Sequence, residues 1–144
     1  MKTIYLATPI DYSPQGESSM DWALNTREVL RKMGFVVFCP ILAWDLDMNK
    51  LDRPGSGYVQ LVNDYSLLTA DILVARLSGP TCGVPREIVI ADDVNKPIFI
   101  VRKDWKYRTV FEWNITARLV SDAGQLFDAL LEMEDGYAQE ELPF

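Results

Sequence analysis

The sequence predicts an α/β fold, a doubly wound, flavodoxin-like or Rossmann-like three-layer sandwich around a mainly parallel sheet of about five strands. Two observations carry that prediction. Short apolar runs rich in β-formers (TIYLA, FVVFC, ILVARL, IFIVR) alternate with longer stretches whose apolar residues recur at helical spacing. The runs are also too continuously apolar to leave one face wet, which is the mark of strands covered on both sides.

The first strand is expected at Thr3 to Ala7, closed by Thr8 and Pro9. After the polar loop PIDYSPQGES, Ser18 with Asp21 has the form of a capping box, and Trp22, Val29, Leu30 and Met33 mark the inner face of a helix that ends at Gly34. Phe35 to Cys39 reads as the second strand, stopped by Pro40. The following AWDLDMNKLDRPGSG has no sustained period and carries turn signals at Pro54, Gly55 and Gly57, so a long surface loop is expected. A helix from Tyr58 to Thr69, with Val59, Val62, Leu67 and Leu68 inward, leads to a strand at Ile72 to Leu77. The loop LSGPTCGVPRE then opens a helix from Val84 to Val94. Lys96 and Pro97 turn the chain into strand Ile98 to Arg102. A run from Ile115 to Val120 and a helix from Asp122 to Glu134 complete a single domain spanning 1–134, followed by an acidic tail, 135–144.

Composition narrows the function. With 144 residues, 49% hydrophobic and 24% charged, the chain has the make-up of one globular domain. Its apolar runs FVVFCPILAW and PIFIV fall short of the roughly 20 residues a membrane span needs, and no basic segment precedes an apolar one at the start, so no membrane role and a cytoplasmic location are expected. A net charge of −7 argues against a nucleic-acid polymer as partner, because such binding needs a cationic face; a nucleoside or nucleotide remains open. Cys39 and Cys82 are far apart in sequence and are read as free thiols. The chain has no histidine, which removes histidine-based triads and the commonest zinc ligand. Acid-base chemistry falls to carboxylates, tyrosine, lysine or thiol. No metal or cofactor is expected.

In a doubly wound fold the ligand lies beyond the carboxyl ends of the strands, where the loops after the first three strands gather. Those are the loops of unusual composition. Glu87 stands at the start of a helix behind Gly83, Pro80 and Pro85. A carboxylate there is stabilised by the helix dipole, which suits a nucleophile as well as it suits ordinary helix design. Asp64 interrupts an apolar helical stretch (VNDYSLL) and needs solvent or a partner. Asp71 fits a backbone cap at the start of the third strand. Tyr5 fits the core, yet its phenol is placed to reach a carboxylate at the strand's end. No GxGxxG follows the first strand, where Thr8, Pro9 and Ile10 stand, so dinucleotide binding by that route is not expected. Cys82 is a weaker candidate nucleophile, and Arg102, Lys103, Lys106 and Arg108 read as a solvated basic face.

In this order the pieces resemble the nucleoside 2-deoxyribosyltransferase superfamily, which also contains deoxynucleoside 5′-monophosphate N-glycosidases. IYLATPI is similar to that family's opening strand, VNDYSLLTADILVARL to its aspartate-bearing helix and next strand, TCGVPRE to its catalytic loop, and NKPIFIV to the strand beyond. The similarity runs from Lys2 to Val101. It implies that Glu87 is the nucleophile, that Asp64 holds or protonates the departing base and that Tyr5 orients Glu87. It further implies that Thr8, Pro9, Ile10, Asp71, Thr81, Gly83 and Asn114 line the substrate site, with Asn114 reaching a neighbouring subunit's sugar in a homodimer or higher homo-oligomer. The implied activity is transfer of 2-deoxyribose between bases. Hydrolysis of deoxynucleoside monophosphates, nucleotide sensing without catalysis, and cleavage of NAD at its nicotinamide bond are the alternatives. Thr81 replaces the aspartate that reads the base in transferases, and Thr8 replaces the glycine of the opening strand's AGP.

Overall fold

The first strand is apolar on both faces because both faces are covered. In the computed structural model, which describes residues 2–9, 19–44, 52–77, 83–102 and 116–140 with side chains through 133, strand β1 (Thr3–Ala7) lies inside the sheet. It pairs in parallel with β2 (Val36–Phe38) on one side and β3 (Ile72–Arg76) on the other. Parallel pairing continues to β4 (Ile98–Val101) and β5 (Arg118–Val120), giving five strands in the order β2-β1-β3-β4-β5. The chain order reverses at β1 and β3, so the crevice beyond their carboxyl ends is where this fold holds ligands.

Period-2 alternation assigns each strand residue to a layer. Ile4, Leu6, Ile72, Val74, Phe99 and Val101 face one layer, where they meet Trp22, Ala23 and Leu30 of α1 (Ser19–Lys32) and Leu126, Ala129 and Leu130 of α5 (Ala123–Glu140). Tyr5, Ala7, Leu73, Ala75, Ile98 and Ile100 face the other, against Leu67 of α3 (Arg53–Thr69) and Val84, Ile88 and Ala91 of α4 (Gly83–Asp93). Each fully buried Leu or Ile in these layers contributes roughly 1.5–3 kcal/mol of transfer free energy.

Local chemistry sets the helix ends. Gly34, at φ 97°, follows α1, and its N–H donates to Arg31 O while that of Phe35 donates to Leu30 O. This Schellman closure needs a residue at positive φ, which glycine adopts without strain. Asn95, at φ 58°, closes α4 in the same way, with N–H bonds from Asn95 to Asp92 O and from Lys96 to Ala91 O.

The long loop expected after β2 is partly helical. A single turn, α2 (Pro40–Ala43), follows Cys39, and α3 begins at Arg53, five residues before the expected Tyr58. Asp52 caps it by accepting from Gly55 N at 2.7 Å, and Pro54 sits in the first turn, where its missing N–H costs nothing. The turn-forming residues are therefore a helix start. On α3, Val59 and Leu67 are buried as expected, whereas Leu68 is 48% exposed; Val29 of α1 likewise points outward, and Ala23 and Thr26 take the buried positions. The strands β3 and β4 each stop one residue short of expectation, β5 covers only the last part of 115–120, and α5 continues past 134 to Glu140. The proposed capping box at Ser18 lies outside the described residues.

Candidate active site

Four elements bring chemical groups to the carboxyl edge between β1 and β3. Tyr5 comes from β1, where its backbone pairs with Phe38 on one side and Leu73 on the other. Its side chain is fully buried, with the Phe38 ring 5.6 Å away. Glu87 comes from α4, half-buried, its Oε2 shielded from solvent. Asp64 is carried by α3 and Cys39 by the end of β2. The structure thus brings together the three residues expected to be catalytic.

Glu87 lies deeper in its helix than expected. Because α4 starts at Gly83, Glu87 is its fifth residue, beyond the first turn, where the helix dipole has faded. Burial governs instead. It raises the Glu87 carboxyl from 4.5 to about 7, against the opposing influence of the Tyr5 phenol; Asp64's charge adds to the rise and Arg86 counters it. The ionised state is less favoured than helix-terminal placement alone suggests.

The Tyr5 phenol acts on Glu87 as a donor facing a carboxyl, yet neither Tyr5 Oη nor Glu87 Oε2 completes a hydrogen bond of ordinary length and angle within the protein. The two groups confront each other, and each keeps unmet bonding capacity. Burial, then Glu87, raises the phenol far above its usual range, so Tyr5 is a neutral donor at every working pH. Thr8 Oγ1, just past β1, is a further buried polar atom with no protein partner. Buried polar atoms are nearly always paired, so three unpaired ones on groups that end at one sheet edge mark a place for a polar ligand.

Asp64, part-exposed on α3, is paired with Arg86. Arg86 Nη1 and Nη2 each donate to one of its carboxylate oxygens at 2.8 Å. This fork-to-fork geometry is the strong form of an ion pair. Beside it, Trp44 Nε1 donates to Asn63 Oδ1 at 2.9 Å, joining the segment after α2 to α3. Burial pushes the Cys39 thiol up to about 11, which leaves it protonated and inert near neutrality.

The remaining sequence candidates divide. Thr8 is half-buried and Pro9 buried at the end of β1, and Gly83 opens α4 with no atom crowding the place a Cβ would take. Asp71 is not brought to this edge. It precedes β3, at the amino end of the sheet, and its Oδ2 accepts from Thr3 N at 2.8 Å, a backbone cap. Ile10, Thr81, Cys82 and Asn114 lie outside the described residues, as do Lys103, Lys106 and Arg108.

Three nearby or neighbouring-layer features were not anticipated. Phe38 walls Tyr5, and the Nε of Arg27 on α1 is buried without a protein partner. Arg76, at the end of β3, lies 5.3 Å over the Trp22 ring. Only the alternation of β2 and β3 could have placed Phe38 and Arg76, and nothing local singles out Arg27.

Known proteins share this fold. The chain's fold matches that of a 2-deoxyribosyltransferase from the psychrotolerant bacterium Bacillus psychrosaccharolyticus, with TM-score 0.71 and 17% identity over 86% of this chain and 89% of that one. It also matches a conserved protein from Enterococcus faecalis V583 (TM-score 0.67, 19% identity, 92% and 99% covered). A third match is a 2-deoxyribosyltransferase from Leishmania mexicana (TM-score 0.56, 22% identity, 72% and 66% covered). No curated protein matches the sequence. The family model for nucleoside 2-deoxyribosyltransferases aligns with residues 4–138, nearly the whole chain, and includes β1, α3 and α4 with Tyr5, Asp64 and Glu87. The chain belongs to the nucleoside 2-deoxyribosyltransferase family of enzymes.

Proposed function

We propose that this protein cleaves the bond between base and sugar in 2′-deoxynucleosides or their 5′-monophosphates, with Glu87 as the nucleophile and a second base as acceptor. The observation that carries the reading is the buried Glu87 carboxyl facing the Tyr5 phenol, raised to about 7 and left with an unpaired oxygen. A carboxyl balanced near neutrality is available as the anion, and burial removes the water shell that would blunt its attack.

In the first step a Glu87 oxygen attacks C1′, a C–O bond forms, and the C1′–N bond breaks with its electron pair leaving on the base, which takes up a proton. In the second step a ring nitrogen of the incoming base attacks C1′, the ester C–O bond breaks, and Glu87 returns as carboxylate while the new base loses a proton. Two displacements retain the configuration at C1′. Tyr5 faces Glu87 as a neutral donor and favours its anion. Water in place of the second base turns transfer into hydrolysis without changing the first step.

Homo-oligomerisation is supported by α3, where Tyr58, Leu61, Tyr65 and Leu68 recur at three- and four-residue spacing and are 61%, 67%, 69% and 48% exposed. Such an outward stripe beside Asp64 fits burial against a second copy. The functional reading is tested by incubating the protein with mixed deoxynucleosides and deoxynucleotides, with and without an added free base, and separating the products. Base exchange dependent on the added base is expected, and its loss by several orders of magnitude in Glu87→Ala with the fold intact. Undiminished turnover in that variant would rule out the role given to Glu87.

A further inference from the structure

The crevice between β1 and β3 has a second side, which the chemistry at Glu87 does not use. Ala7 and Ala75 are register partners, so the residues that follow them, Thr8 and Arg76, stand side by side where the two strands end. Continued alternation turns both away from the layer of Tyr5 and Ala75 and toward that of Leu6 and Val74. Arg76 confirms the direction, because its guanidinium carbon lies 5.3 Å over the ring of Trp22, a buried residue of α1 in that layer. Contact through an aromatic face holds a guanidinium whose N–H donors all lie in its own plane. Thr8 Oγ1 is buried without a protein partner, and so is Nε of Arg27 on α1. Burial raises the Cys39 thiol, and the Arg27 charge is among the influences opposing that rise, which sets Arg27 toward the end of β2. A held cation beside a buried, unpaired hydroxyl, in a chain of net charge −7, marks a position for an anion.

We propose that Thr8 and Arg76, with Arg27 as a second cation on the same side, form a subsite for a 5′-phosphate, so that this chain takes deoxynucleoside 5′-monophosphates in preference to free deoxynucleosides. Tyr5, Asp64 and Glu87 occupy the α3 and α4 side of the edge, and Thr8 and Arg76 the α1 side. In a nucleotide the base and the 5′ carbon are attached to the two carbons that flank the sugar's ring oxygen. With C1′ at Glu87 and the base toward α3, the 5′ carbon crosses the edge to the α1 side. There the guanidinium donates in-plane N–H bonds to two phosphate oxygens, and the Thr8 hydroxyl donates to a third. The subsite selects the substrate and takes no part in bond making. Naming a nucleotide rests on the role proposed for Glu87; the anion site itself does not.

The test is calorimetric titration with 2-deoxyribose and with 2-deoxyribose 5-phosphate, probes that carry no base and need no turnover. Rates of base release from the common deoxynucleosides and from their 5′-monophosphates are measured alongside. The sugar phosphate is expected to bind roughly tenfold or more tightly than the sugar, the size of effect of a charge-assisted hydrogen bond. The best monophosphate should exceed its nucleoside in kcat/KM by a similar factor, the difference lying in KM. Arg76→Gln should abolish most of that preference and Arg76→Lys recover part of it. Thr8→Val, which keeps the shape and removes the hydroxyl, should weaken the sugar phosphate more than the sugar. A sugar phosphate that binds no better than the sugar would overturn the subsite even where bases are released. So would a preference that survives undiminished in Arg76→Gln folded by circular dichroism. A phosphate preference lost in Arg76→Gln, in a protein that releases no base from any of these compounds, would remove the functional reading and leave the anion site standing.

Discussion

Replacing Glu87 by Gln should make the protein more stable in alkaline solution and change little in acid. The carboxyl's pKa is raised from 4.5 to about 7 by burial, so the folded state holds this proton more tightly than the unfolded chain does. That stabilisation is complete below about 4.5, where both states are protonated, and it is lost as pH climbs through about 7. The displacement, at ~1.4 kcal/mol for each tenfold in proton affinity, amounts to about 3 kcal/mol. Gln imitates the neutral carboxyl and lacks the titration. The stability of Glu87→Gln relative to wild type should therefore grow by about 3 kcal/mol between pH 4.5 and pH 8.5, roughly 6–12 °C in thermal midpoint for a chain of this size. Urea denaturation of both proteins at half-unit pH intervals measures it, and groups common to both cancel in the difference. Parallel stability curves would refute the claim that Glu87 ionises at a cost to the fold.

Other expectations concern the same site and its supports. Base release should fall about tenfold per pH unit below about 7 as Glu87 protonates; a flat rate from pH 5 to 8 counts against an anionic nucleophile. Tyr5→Phe removes a buried hydroxyl without a protein partner, so unfolding free energy should stay within ~1 kcal/mol of wild type or rise. The same change should slow turnover and move the acid limb upward, since the phenol favours the Glu87 anion. Asp71→Ala strips Thr3 N of its acceptor, and a stability loss of ~1 kcal/mol is expected in denaturant titration. Leu61→Lys with Tyr65→Lys should convert an oligomer to monomer in light scattering, and an unchanged mass would remove α3 as the interface.

The fold was legible because its strands are buried on both faces. Nothing but a covered parallel sheet accommodates ILVAR and IFIV, and Gly34 announces its positive φ. The start of α3 was not legible. Pro54, Gly55 and Gly57 are turn residues by local propensity, and what overrides them is the Asp52 cap with the packing of Val59 and Leu67. Glu87, Asp64 and Tyr5 could be picked from their order along the chain together with the absence of histidine. The state of Glu87 could not, because a helix start suggests a favoured anion while burial, visible only in three dimensions, reverses the direction. The Arg86 and Asp64 pair was equally hidden, since no local rule links residues on two helices that the sheet alone brings side by side.

As the proposed nucleophile, Glu87 should carry the sugar between the two displacements. Intact-mass measurement after mixing with a reactive deoxynucleoside and quenching in acid should find a population heavier by one deoxyribosyl group, mapped by peptide analysis to the segment containing Glu87 and absent from Glu87→Gln. Base release at full rate without that adduct, and persisting in Glu87→Gln, would contradict it.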